Sequence, residues 1–199
     1  MVDLRASERT SASPPMGIRA TLEVLNAMEA SGTIGRYAIA GAVAAYNYIE
    51  PTPTEDLDIL ISVETNTPSG LVMLEPIFSH LRQRGFATHQ KEGILIGDWT
   101  VQFLPVASDL DREALTEARD VELDGDGETA VSTRVLKAEH IVAICLRLSR
   151  PKDLIRVAQF LTESAVNVTA LCAVLSRHDL QEALRLFCRR SGLANPCGF

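Results

Sequence analysis

The chain lacks most of the features that announce a chemistry directly. Its four cysteines, Cys145, Cys172, Cys188 and Cys197, include no Cys-x-x-Cys pair, which excludes a zinc ribbon or a thioredoxin-like redox motif. The four histidines, His80, His89, His140 and His178, are scattered without a His-x3-His spacing or a cysteine partner, so they predict no zinc site. A Gly-x-Ser-x-Gly elbow and a Cys/His signature are both missing, which removes the common nucleophilic hydrolases. No apolar run is long enough to span a bilayer. The first fifteen residues, with Arg5, Glu8, Arg9, Pro14 and Pro15, lack the apolar centre of a signal peptide. Basic residues are in deficit: 19 Lys and Arg against 26 Asp and Glu give a net charge of −7. That balance excludes a broad nucleic-acid-binding face and confines any such contact to a local patch.

What is present is an ordinary globular composition. With 199 residues, 46% hydrophobic and 23% charged, the chain can bury a real core as one substantial domain or a smaller one with a helical appendix. Three of the cysteines sit in helix-like apolar surroundings, which predicts reduced, buried thiols and with them a cytosolic protein.

Apolar periodicity divides the chain into three parts. Residues 1–15, rich in Ser and Pro, are expected to form a disordered tail. Residues 16–136 read as a mixed α/β domain. Helix-spaced residues Ile18, Leu22, Leu25 and Met28 run to a stop at Gly32, and Tyr37 to Ala40 form a short buried strand. A polar loop from Glu64 to Gly70 leads into an amphipathic helix from Leu71 to Arg84. Three strands follow, Phe86 to His89, Gly93 to Ile96 and Thr100 to Leu104. Ser108 caps a helix from Asp109 to Arg119. The acidic turn Asp124-Gly125-Asp126-Gly127 precedes a last strand from Thr129; it lacks the helix-loop-helix frame and distal glutamate of an EF-hand. Residues 137–199 read as four helices, with a fraying tail after Arg190. The fold class expected is α+β, a mixed β-sheet flanked by helices with a C-terminal helical region.

The chemistry concentrates between Tyr37 and Ser62. Gly41-Ala42 is a tight turn after the first strand, and Val43 to Tyr48 begin a helix. Small residues there let backbone amides approach a phosphate, and a helix start favours anions. Thirteen residues on, Asp56-Leu57-Asp58 opens a second strand. Alternate residues share a strand face about 6.5 Å apart, so Asp56 and Asp58 project together while Leu57, Ile59 and Ile61 face a core. Two neighbouring carboxylates suit a hard divalent cation.

A strand, a glycine turn, a helix and a strand bearing Asp-x-Asp resemble the nucleotidyltransferase signature of the DNA polymerase beta superfamily. The later segments Lys137-Ala-Glu-His-Ile and Arg150-Pro-Lys-Asp-Leu-Ile-Arg156 are similar to the helical region of the AbiEii-type nucleotidyltransferases, and the likeness extends over about residues 35 to 165. The resemblance implies a nucleotidyltransferase-like fold over residues 16–136, with the triphosphate held by Gly41, Ala42 and Lys152. It assigns Mg2+ to Asp56 and Asp58 and a catalytic or Lys152-orienting role to Asp153. Transfer would be to a hydroxyl of an RNA, a protein or a small molecule, with an antitoxin-like partner for members of two-component toxin-antitoxin pairs. The third carboxylate of such enzymes corresponds to Gln102, an amide that cannot serve as a base, and Asp98 is about 13 Å along the strand from it. The alternative is a non-catalytic descendant that keeps the fold as an interaction or nucleotide-sensing module.

Overall fold

All three residues of strand β1 (Tyr37–Ile39) are buried, as expected of a central strand covered on both faces. The computed structural model describes residues 17–62, 74–125 and 128–199. The expected N-terminal tail, the Glu64–Gly70 loop, the start of the helix expected from Leu71 and the Asp126-Gly127 step lie outside the described residues. On one side β1 pairs antiparallel with β2 (Asp56–Ile61), on the other parallel with β7 (Glu128–Val135). Beyond β2 come β5 (Trp99–Pro105), β4 (Gly93–Ile96) and the two-residue β3 (His89–Gln90), while β6 (Arg119–Gly125) closes the far edge. The sheet order is β3-β4-β5-β2-β1-β7-β6. The fold is therefore α+β: among the described residues, a seven-stranded mixed sheet flanked by eight helices, the last four C-terminal to it.

Strand alternation sorts the residues of the sheet. The Tyr37 hydroxyl donates to Asn26 Oδ1 at 2.6 Å, and Asn26 belongs to α1 (Ile18–Ala30), so Tyr37 and Ile39 face α1. Their register partners Ile61 and Ile59 share that face, as do Val101 and Phe103 on β5. Leu57, Ile59 and Ile61 are wholly buried there. The opposite face carries Asp56, Asp58 and Leu60, with Thr100, Gln102 and Leu104 beside them in parallel register.

Helix α2 (Gly41–Ala45) is one turn long, shorter than the Val43–Tyr48 pattern suggests, because Asn47 and Tyr48 bond back to Ala44 and Ala45 in tight turns. A single turn carries little dipole, so the approach of its backbone, rather than its field, is what Gly41 contributes. Helix α3 (Glu75–Gln83) stops at Gly85 with φ +90°. In α4 (Asp109–Thr116), Ser108 accepts from the Asp111 amide at 3.2 Å and Asp111 in turn accepts from the Ser108 hydroxyl at 2.8 Å, a reciprocal cap. Helix α5 (Ala138–Leu148) packs on α2 and α4, and one hydrophobic core runs through the sheet and the C-terminal helices. Helices α6 (Pro151–Thr162), α7 (Val168–Arg177) and α8 (Gln181–Ser191) complete the chain.

Three expectations are corrected. Strand β6 occupies residues assigned from the sequence to a helix end and a turn. Its exposed Asp120 and Glu122 alternate with half-buried Val121 and Leu123, a two-residue period on an edge where charge discourages further pairing. The cysteines are not all reduced: Cys172 on α7 is bonded to Cys197, with Cα atoms 5.5 Å apart, while Cys145 and Cys188 are free and buried. Gly192, at φ +69°, turns the chain back after α8, so the final residues are pinned to α7 rather than frayed. Among the described residues no helix is long and apolar enough to cross a membrane.

Candidate functional site

The antiparallel β1–β2 pairing brings the end of one strand beside the start of the other. The Ala40 amide donates to the Asp58 carbonyl at 2.8 Å, which sets the Gly41 bend directly over the Asp58 side chain. Gly41 has φ +62°, and a Cβ there would overlap Asp58 Oδ2 and come within 2.8 Å of its Cγ. Glycine is thus required twice, by backbone conformation and by the close approach of the carboxylate. No side chain caps the start of α2, so the first amides of this turn have no side-chain acceptor.

Asp58 is half-buried and pushed above the usual carboxylate range, chiefly by loss of solvation and secondarily by Asp56, while Lys152, Arg156 and Arg150 pull the other way. Among the described residues no hydrogen bond or ion pair reaches its carboxylate. Asp56, on the same face, accepts from Lys91 Nζ at 3.2 and 3.5 Å. Gln102 stands next to Asp58 in register on β5. Asp98 is turned away: its carboxylate lies against Gly17 at the start of α1.

The cations that act on Asp58 come from the start of α6, where Arg150 precedes Pro151 at the first helical position. Asp153 is 1% exposed. Its Oδ2 accepts from the Arg150 amide at 3.3 Å and from Arg150 Nε at 2.6 Å, and its Oδ1 accepts from the guanidinium at 3.2 Å. Both oxygens of Asp153 are therefore engaged by Arg150, and its contacts hold the helix start and the Arg150 side chain rather than Lys152. Lys152 is exposed. Arg156, one turn further on the same helix face, acts electrostatically on Asp58, on Tyr46 and on the Cys145 thiol. Burial pushes that thiol up to about 11, so it is protonated at neutral pH.

The structure thus sets the Gly41 bend against Asp58, places Asp56 on the same strand face, and brings the α6 cations close enough to act on Asp58; it adds Lys91, Arg150 and Arg156, which the sequence did not single out. Arg156 was discoverable from its i+4 spacing to Lys152. Lys91, 35 residues from Asp56 in sequence, left no local signal.

A second cluster was missed altogether. Glu113 on α4, Glu117 just beyond it and His140 on α5 place ligand-capable atoms within 4.8 Å of one another, a group that could hold a metal ion. Two of the four histidines scattered in sequence do converge here: Glu113 meets His140 Nε2 at 3.2 Å and His178 Nε2 at 2.8 Å, and receives Arg177 on both oxygens at 2.5 and 3.2 Å. Glu117 accepts from Lys137 at 2.9 Å. The Arg177 and histidine hydrogen bonds hold the Glu113 carboxyl down at about 2. A separate open cavity of about 400 Å³ lies on the α1 side of the sheet, lined by Asn26, Glu29, Asp120 and Arg134 among others.

No protein-family model matches the chain, and no curated protein matches its sequence. The functional reading therefore rests on the site itself.

Proposed function

We propose that this chain is a nucleotidyltransferase-like protein that binds a nucleoside triphosphate together with Mg2+ between the β2 carboxylates and the start of α6. The observation that carries the reading is the contact between the Gly41 bend and the Asp58 carboxylate. It supports a site in which phosphate oxygens meet backbone amides beside a carboxylate pair, and a side chain at position 41 would close that space. Asp56 and Asp58 supply the hard oxygens that Mg2+ prefers. The loss of solvation at Asp58, which no hydrogen bond from the described residues offsets, is what a bound cation would relieve. When bound, the ion would neutralise charge on the phosphates.

Each residue of the cleft has a separate task. Gly41 and Ala42 offer amides and room for the phosphates. Lys152 and Arg156 bring positive charge to them, with Arg150 held in place by the buried Asp153, which acts as a positioning residue.

Gln102 favours a second reading, a nucleotide-binding module that does not turn over. A carboxamide in register with Asp58 adds no third negative charge and cannot take a proton from an attacking hydroxyl. Incubation with labelled nucleoside triphosphates, Mg2+ and cell RNA or protein, alongside calorimetry, separates the two. Label transfer supports the enzyme, and binding without transfer supports the module. Neither binding nor transfer overturns both.

A further inference from the structure

We propose that Lys91 is a tethered cation on Asp56, so that the cleft carries its first positive charge within the protein and takes up a divalent ion only as this side chain withdraws. This inference rests on the assignment of Asp56 as a metal ligand.

Lys91 and Glu92 form the two-residue connection between Gln90 and Gly93, which pair across the β3–β4 hairpin. Lys91 has φ +53°, a left-handed conformation that glycine or asparagine adopts with less strain in such turns. Lysine brings the turn no local advantage. What it brings is reach: although β5 separates β4 from β2 in the sheet order, the side chain sets Nζ 3.2 Å from one oxygen of Asp56 and 3.5 Å from the other. Glu55 Oε2 lies 3.7 Å from the same ammonium. A single charge set against both oxygens of one carboxylate competes for the oxygens that a metal ion would need.

The arrangement is asymmetric. Among the described residues, Asp58 has no such partner, and the α6 cations act on it through space alone. Lys91 is half-exposed, so its flexible stem can leave Asp56 without unfolding anything. A divalent ion competes with it for the same oxygens, and a bound triphosphate offers the displaced ammonium a new anionic partner. Metal uptake and nucleotide uptake are thereby coupled through one side chain.

The test uses Mn2+ as probe, with free ion followed by electron paramagnetic resonance at low ionic strength, on the wild-type chain, Lys91→Met, and Lys91→Met combined with Asp56→Asn. Lys91→Met should bind Mn2+ roughly threefold to tenfold more tightly than wild type. The added Asp56→Asn should abolish that gain, and addition of ATP should narrow the difference between wild type and Lys91→Met. Equal Mn2+ affinity in wild type and Lys91→Met, with Asp56→Asn still weakening it, overturns the role of Lys91 and leaves the metal assignment standing. Unchanged Mn2+ affinity with weaker ATP binding identifies Lys91 as a phosphate ligand and also overturns the proposal. Absence of Mn2+ binding in all three overturns the metal assignment and this inference together. Circular dichroism of each variant confirms that the hairpin change leaves the fold intact.

Discussion

Two carboxylate clusters in this chain meet opposite electrostatic fates. Glu113 is held by Arg177, His140 and His178 through direct hydrogen bonds and sits well below its ordinary range, at about 2. Asp58 is half-buried, no hydrogen bond reaches it among the described residues, and it sits above its ordinary range. The first group ties α4 to α5 and to the end of α7, so its charge is spent on holding helices together. The second is kept ionisable in a place where ionisation is costly, which a fold tolerates when the group has a partner still to come. One carboxylate is thus satisfied within the chain, and under the proposed function the other is the one a ligand would satisfy.

The largest effect that sharpens this contrast is on ligand binding. Asp56→Asn combined with Asp58→Asn should weaken Mg2+-dependent ATP binding by about 100-fold or more, equivalent to about 2.7 kcal/mol, whereas Glu113→Gln should leave it unchanged; calorimetry reads both. On stability the order reverses. Glu113→Ala leaves the buried His140 and the Arg177 guanidinium without their acceptor and should cost about 2 kcal/mol, a fall in Tm of roughly 4–8 °C for a chain of this size. A rise in Tm with Zn2+ that His140→Asn abolishes would break the comparison, since the cluster would then be a metal centre rather than a closed network.

The pH dependence follows with its sign. Burial holds His140 below its ordinary 6.5, so the stability it contributes is present above that value and is lost as pH falls through the lower, folded one. Glu113 contributes stability present above about 4.5 and lost as pH falls towards about 2. Denaturation midpoints should therefore decline in two stages on acidification, and Glu113→Gln should remove the second. Asp58 works the other way, favouring the fold below its ordinary 3.8 and losing that contribution as pH rises through its higher folded value. The smallest effect is thus a gain: Asp58→Asn should raise stability at neutral pH by roughly 0.5–1 kcal/mol, in a thermal melt without ligand.

How far these clusters could be seen in the sequence differs for the same physical reason. The cleft was legible because its parts are local: a glycine bend, a strand with alternate acids and a helix start with Pro151 and Asp153 each carry their own pattern. Gln102 was tied to the acid pair by the resemblance alone, and the β2–β5 register is what sets it beside Asp58. The Glu113 cluster was invisible because it is assembled from three helices, by residues 27 and 65 positions apart, and helix packing leaves no spacing rule that names its partners. Strand β6 was missed for another reason: its alternation is carried by charges on an edge and runs straight into an acidic turn. The Cys172–Cys197 bridge depended on the return of the tail after Gly192, which no local pattern foretold.

The most direct test is a crystal grown or soaked with Mg2+ and a non-hydrolysable nucleoside triphosphate. The triphosphate should lie along the Gly41-Ala42 amides towards Lys152, with metal density at Asp58 and Asp56 and the Lys91 ammonium moved off the carboxylate. Nucleotide in the cavity between α1 and β7, or an empty cleft at saturating ligand, would contradict the assignment.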